Sequence, residues 1–228
     1  MSLAGMGAVA IWHDLLPEAK DEFYQWHNRE HMPERVGIPG FRRGRRYVAI
    51  SGTPEFFNLY EADSPEVLSG QDYLNRLNAP TEWTRRVVPN FRNVARSICR
   101  VAFTSGVGSG GVMLTMCFDI GAAHHARAVG AFTQGLLPRL AERRGVTGVH
   151  FLVADEATSK IETAEKKARA DATLVPTWAI LVEGNSIVDV RAAGEALAIG
   201  VAEHHASAPA TAIYRHEFTR LKTPWSAG

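Results

Sequence analysis

The chain is poor in cysteine: Cys99 and Cys117 are the only two in 228 residues, both in apolar runs, too few for a disulfide framework. That sparseness points to a reducing compartment, with the cytoplasm as the expected location. No apolar run approaches the ~20 residues that a membrane span needs, and no basic segment leads into an apolar one at the amino terminus. No membrane partner is expected. Neither sign of charge is in excess, since 25 Lys and Arg against 24 Asp and Glu leave a formal +1, without the broad basic field that nucleic acid requires. A phosphate-cradling glycine loop is missing as well. The glycine-rich stretch Thr104 to Gly111 has no lysine after it and leads into a strand, so nucleotide cofactors are unsupported.

What is present is an ordinary globular composition, 46% hydrophobic and 21% charged, and an order of local signals that occurs twice. Val9, Ile11 and His13 alternate with Ala8, Ala10 and Trp12, predicting a strand. Pro17 to His31 reads as a helix with Ala19, Phe23 and Trp26 on one face, and Pro33 is expected to end it by disfavouring the α conformation at Met32. Gly40 to Ile50 and Phe56 to Glu61 form a hairpin turning at Gly52 and Pro54. Ser64 and Pro65 start a helix to about Leu77, Thr81 caps a short helical turn, and Ser97 to Phe103 is a fourth strand. After the glycine-rich linker the order returns: strand Val112 to Ile120, helix Ala122 to Arg143, strands Gly148 to Ala154 and Trp178 to Glu183, helix Ile187 to Glu203, strand Thr211 to Leu221.

The expected fold class is therefore α+β, built from two tandem ferredoxin-like βαββαβ repeats, residues 1–106 and 107–228. A lone repeat leaves one sheet face bare, so the copies are expected to pack sheet to sheet as an intrachain α+β barrel, for which eight strands suffice. Aligning Val9 with Val112 gives an offset of 103 and Gly40 with Gly148 gives 108, implying about five extra residues near the second copy's first helix. Met1 to Gly5 carries no structural weight in this reading. Asp155 to Val175, charged and alanine-rich, replaces the turn at Gly52 and reads as a solvated excursion.

Candidate chemistry is concentrated in Phe23 to Phe41. His27 and His31 lie one helical turn apart, and Glu30 falls on the arc of Phe23 and Trp26, aimed at the core, where a carboxylate is paired, protonated or used. His13 and one face of the second strand, Arg43, Arg45 and Tyr47, are its expected companions. Imidazoles titrate near neutrality and suit acid and base work, although a histidine pair at a helix end also serves simply as an anchor. Glu30 reads more readily as a structural partner than as a proton carrier. Arg42, Arg43, Arg45 and Arg46 read as a solvated edge, and Trp12, Trp26, Trp83 and Trp178 as core. His27 to His31 also matches the H-x-x-E-H zinc pattern, but no glutamate occurs between Glu82 and Glu142 to complete the ligand set. The pairs His124-His125 and His204-His205 point about 100° apart and read as helix surface.

The run WHNREHMPERVGIPGFRRGRRY, Trp26 to Tyr47, resembles the first-helix and second-strand signature of the dimeric α+β barrel superfamily, especially its EthD-like members. Those families include cofactor-free monooxygenases, lactone isomerases, polyketide cyclases and haem enzymes. The resemblance implies a pocket between sheet and helices, with His27, Glu30 and His31 catalytic and Trp12, His13, Trp26, Arg35, Arg43 and Tyr47 binding substrate. It implies no tightly bound cofactor and no metal, with haem left open. At the offset of 108, Gln134, Gly135, Pro138 and Arg139 replace Trp26, His27, Glu30 and His31, so one pocket per chain is expected. The function so implied is that of a small-molecule enzyme: proton transfer, oxygenation, cyclisation or isomerisation of an aromatic, polyketide-like or lactone substrate. The alternatives are a non-catalytic ligand-binding or assembly module and a haem or metal protein. The expected partners are a small molecule and a second copy in a homodimer.

Overall fold

The computed structural model describes residues 3–170 and 172–222. Its strands are β1 (Gly7–Leu15), β2 (Phe41–Ser51), β3 (Phe56–Ala62), β4 (Phe91–Gly106), β5 (Val112–Phe118), β6 (Val146–Ala154), β7 (Trp178–Gly184) and β8 (Ala210–Leu221). They close into an antiparallel barrel in the order β1-β3-β2-β8-β5-β7-β6-β4. The first half contributes β4-β1-β3-β2 and the second β8-β5-β7-β6, joined at β2 with β8 and at β4 with β6. The face each sheet would leave bare becomes the barrel interior, filled by Ala8, Trp12, Tyr47, Phe57, Leu181 and Tyr214. Leu3 joins that interior, so within Met1 to Gly5 Leu3 does carry structural weight, Met1 and Ser2 lying outside the described residues.

Helices cover the outside: α1 (residues 17–37), α2 (Pro65–Ser69), α3 (Gln71–Asn78), α4 (Glu82–Val87), α5 (residues 122–141), α6 (Glu156–Lys160), α7 (Ala164–Lys167) and α8 (Ile187–Ala202). None of the described helices is long and apolar enough to cross a membrane.

Three expectations about the course of the helices and connections are corrected. First, α1 does not end at Pro33. The turn His27–His31 widens to π geometry, with Met32 N–H donating to the His27 carbonyl, and the helix resumes over Met32–Gly37. Pro33 has no N–H and its ring would strike the Arg29 carbonyl in a regular helix; the widened turn relieves both.

Second, no extra residues lie near the second copy's first helix. The same π turn recurs at Phe132–Leu136 ahead of Pro138, 105 residues on. Gly40 and Gly145, with φ of +83° and +79°, mark the same left-handed corner at the same spacing. Gly7 opposite Ala62 corresponds to Val112 opposite Gly184. One offset of 105 therefore runs from β1 to β6, and the earlier pairing of Gly40 with Gly148 matched a corner glycine to one inside a strand. On the true offset Ala131, Phe132, Gly135 and Leu136 stand where the first copy has Trp26, His27, Glu30 and His31. At β3 and β7 the offset is 122, and at β4 and β8, where Arg100 faces Gly7 as Arg215 faces Val112, it is 115, so the second copy is longer between β6 and β7 and shorter ahead of β8.

Third, that excursion is not a solvated loop. Strand β6 ends opposite Cys99, which leaves the first residues of β4 without a neighbour on that edge. The excursion supplies one: Arg96 N–H donates to the Leu174 carbonyl, Leu174 N–H to the Val94 carbonyl, and Ile98 N–H to Ser159 Oγ at 2.8 Å. Ser159, Thr163 and Glu165 are buried. Unpaired backbone groups at a buried edge are costly, and a segment of the second half satisfies those of the first.

The barrel interior also holds charge. Glu61 and Glu183 occupy equivalent places in β3 and β7 and are 0% and 2% exposed. Arg43 grips Glu61 with two bonds of 2.8 Å, while Arg45 donates to Glu61 at 3.0 Å and to Glu183 at 2.7 Å. His150, on the strand equivalent to that of Arg45, meets Glu183 at 3.1 Å, and Ala4 N–H closes on Glu61 at 2.7 Å. Only Arg42 is exposed, on Asp63; the solvated-edge expectation is corrected for Arg43, Arg45 and Arg46, because β2 is an inner strand paired on both sides. Removing one member of a buried ion cluster strands its partners, so Glu61→Gln should cost about 3–5 kcal/mol. Arg42→Ala should leave stability unchanged, both read from urea unfolding midpoints.

Candidate functional site

Side chains alternate along each strand, and the alternation divides the expected site in two. Outward, towards α1, project Ile11 and His13 of β1, Arg46 of β2, and Asn58 and Tyr60 of β3, where Trp26, His27 and His31 come down on them. Inward project Trp12 and Tyr47, which pack on Phe57 at 5.0 and 5.7 Å, and Arg43 in the ion cluster. Trp12 Nε1 donates to Thr115 Oγ1 at 3.2 Å. Trp12, Arg43 and Tyr47 thus lie across the sheet from the imidazoles, whereas His13, Trp26, His27, His31 and Arg35 gather beneath α1. Glu30 does not aim at the core: the widened turn rotates it away, and half-buried it accepts a bond from Thr81 Oγ1, the residue that caps α4. His31 takes the inward place instead.

His27 is buried and its ring is fixed. A guanidinium can only donate, so Arg46 Nη1, 3.0 Å away, makes His27 Nδ1 an acceptor and leaves the proton on Nε2, 3.2 Å from the Tyr60 hydroxyl. Arg46 also donates to Asn28 Oδ1 at 2.8 Å and Glu217 Oε2 at 2.7 Å and lies 4.7 Å over the Tyr24 ring. His13 sets its Nδ1 against the Asp14 carbonyl at 3.2 Å and receives Asn58 Nδ2 at 3.0 Å, which leaves Asn58 Oδ1 buried without a partner. His31 stacks on Trp26 at 4.2 Å, and its buried Nδ1 has no hydrogen bond. The nearest acid, Glu34, is 3.9 Å from that nitrogen.

Between these groups lies a small cavity, about 20 Å³ measured to the centres of water-sized spheres, room for one or two waters. Val88 and Phe91 form its apolar wall, and Glu165 and Arg169 reach it from the excursion. Arg35 is paired with Glu165. Arg46, Asn58, Tyr60, Glu165 and Arg169 were absent from the sequence-based site. Strand alternation would have flagged Arg46 and the β3 pair; nothing in the sequence brings Glu165 and Arg169 here.

The second half shows that the fold does not demand this polarity. At equivalent positions His13 becomes Phe118, His27 becomes Phe132, Arg46 becomes Phe151, Asn58 becomes Ile180 and Tyr60 becomes Val182, all in one apolar core. That packed core leaves no slot for a haem, and the first-half cleft is far too small for one, so the side chains as placed do not fit that group. Among the described residues no three of His, Cys, Asp and Glu come together as metal ligands.

Burial, with the neighbouring Arg169 and Arg46, pushes His13 down to about 3. Burial first, then His31 and Arg46, holds His27 well below the usual histidine range; burial, Arg35 and Arg169 do the same to His31. All three are neutral at physiological pH. In the unfolded chain each returns to about 6.5. Below that pH the unfolded state binds protons that the folded state refuses, so stability is retained above 6.5 and lost as pH falls towards the folded values. Each histidine adds a slope of about 1.4 kcal/mol per pH unit. Unfolding free energies measured between pH 7.5 and 5 should fall steeply, and His13→Phe should remove one proton from the slope.

No family model and no curated protein sequence matches the chain. Solved structures do. An anthrone oxidase-like protein superposes with a TM-score of 0.63 at 13% identity, covering 98% of this chain and 96% of its own. A candidate monooxygenase from Fusobacterium nucleatum gives 0.60 at 8% identity, covering 96% of both chains. A chlorite dismutase from Candidatus Nitrospira defluvii gives 0.54 at 9% identity, covering 93% of this chain and 92% of its own. Likeness at such identities speaks to architecture rather than reaction. With its closed eight-stranded barrel and outer helices, the chain has the fold of the dimeric α+β barrel superfamily, both halves carried on one polypeptide.

Proposed function

We propose that the chain is a small-molecule enzyme that transfers a proton in the cleft beneath α1, without a tightly bound cofactor. The observation that carries this reading is the contrast between halves: the first half spends buried polar groups where the second packs phenylalanine and isoleucine, and several of those groups are unpartnered. His31 is the base in this proposal, because its Nδ1 is buried, neutral and unbonded beside the cavity. The guanidinium groups of Arg35 and Arg169 that weaken it as a base also favour the anion formed when it takes a proton. A phenol, or a ring carbon flanked by a carbonyl, yields such an anion. His27, held by Arg46 and Tyr60, serves to orient His31, on which its ring stacks at 5.6 Å.

Trp26, Phe91, Ile11 and Val88 offer an aromatic substrate an apolar wall, though a ring enters only if Glu165 and Arg169 shift, because the cavity is about one or two waters in size. The anthrone oxidase-like and monooxygenase neighbours favour a substrate whose anion meets dioxygen. Anthrone is accordingly the first probe. In an oxygen electrode near pH 8, the protein should accelerate anthrone oxidation over buffer, and His31→Ala should lower the rate about 100-fold or more while shifting the thermal midpoint by only a few degrees. Binding of anthrone without acceleration would replace this reading with a non-catalytic ligand-binding role; equal rates for the two proteins would remove His31 from the chemistry.

A further inference from the structure

Helix α8 is apolar on the side that faces away from the protein. It begins at the Ser186 cap, whose Oγ accepts from the Asp189 N–H at 3.2 Å, and buries Val190, Ala193, Leu197 and Val201 against β5 and β7. At about 100° per residue the opposite stripe runs Val188, Arg191, Ala192, Glu195, Ile199 and Ala202, all exposed. Val188 and Ile199, 73% and 68% exposed, stand about three turns apart on it. A helix with apolar residues on every side ordinarily has protein on every side. The fold does not ask for such a surface: in the first half the helix that precedes α4, α3, presents Gln71, Asp72, Asn75 and Asn78 to water. The apolar surface also continues past α8. Among the described residues no helix lies between α8 and β8, and a groove of about 220 Å³, lined by Leu114, Met116 and Ile213, runs along the Gly194 and Ala198 edge of the stripe.

We infer that this stripe seats a second copy of the chain, the two α8 helices lying antiparallel about a two-fold axis at the level of Ala193. The charge pattern selects that occupant. Arg191 and Glu195 stand two positions to either side of Ala193, so the axis brings each Arg191 to the partner's Glu195 and forms the same pair twice. It also sets Val188 within about 1.5 Å along the helix of the level of the partner's Ile199, while Ala192 adds no bulk at the crossing. A stripe whose two charges cancel favours neither a basic nor an acidic partner over its own copy. The sheet faces are closed on each other within one chain, so a dimer of this protein needs a separate surface, and α8 lies on the outside of the barrel. Its 16 residues make a helix about 24 Å long, a contact at the small end for specific dimers, which places association at micromolar concentrations rather than in a permanent pair.

Sedimentation equilibrium of the whole chain from about 5 to about 500 µM tests this, and the average mass should rise from one chain towards two across that range. Ile199→Glu should weaken association about 100-fold or more, since a two-fold dimer carries each substitution twice, and should leave the thermal midpoint of the dilute protein unchanged, since the side chain replaced is exposed. Arg191→Glu alone should weaken it about 10-fold, and Arg191→Glu combined with Glu195→Arg should return it to within about 3-fold of the wild type, because the double reversal restores both pairs. The charge variants decide the matter should Ile199→Glu lower the midpoint. A one-chain mass at every concentration, a dimer that Ile199→Glu leaves intact, or a double reversal no tighter than Arg191→Glu overturns the proposal. Flotation of a monomeric chain with phosphatidylcholine vesicles, lost in Ile199→Glu, would assign the stripe to a lipid surface instead.

Discussion

A four-stranded sheet with helices on one side has a second face that water must not see. In this chain that face is covered only by its own repeat, and closing the two sheets on each other is the constraint from which the other features follow. Closure buries whatever the inward positions carry, including Glu61 and Glu183 at matching places in the two halves. Arg45 answers both carboxylates at once and so ties the halves by charge as well as by apolar contact. A buried ion cluster of this kind adds little net stability over a hydrophobic replacement, but it penalises any arrangement in which the two carboxylates lose their shared arginine.

With the interior committed to holding the barrel together, the outer faces under α1 and α5 are left to diverge. Both helices keep the same widened turn two residues before a proline, so both present the same backbone frame to the sheet. On that frame the second half builds a core of Phe118, Phe132, Phe151, Ile180 and Val182, and the first half places His13, His27, Arg46, Asn58 and Tyr60. The apolar version shows what packing alone would select. The polar version, with neutral histidines beside a buried arginine, departs from it at each of these positions, and such departures are where chemistry or recognition is expected.

The excursion between β6 and β7 joins these two themes. It pairs the open edge of β4 with the Leu174 backbone and the Ser159 hydroxyl, and by docking there it delivers Glu165 and Arg169 to a cleft formed by the other half. That cleft is thus lined from both repeats, although only the first supplies its imidazoles.

Period-two strands, the helix face of Phe23 and Trp26, and the doubled element order were legible along the chain, because each depends on residues close in sequence. So was the concentration of unusual chemistry between Trp26 and Tyr47. The path of α1 through Pro33 was not, since a widened turn is decided by what the helix packs on as much as by its own residues; with it went the direction of Glu30. Which face of the sheet Trp12, Arg43 and Tyr47 occupy, and that Arg35 would meet Glu165 across 130 positions of chain, depended on closure of the barrel. Local sequence sets which elements form, whereas the partners of a buried charge are chosen by contacts between segments that only the folded chain brings together.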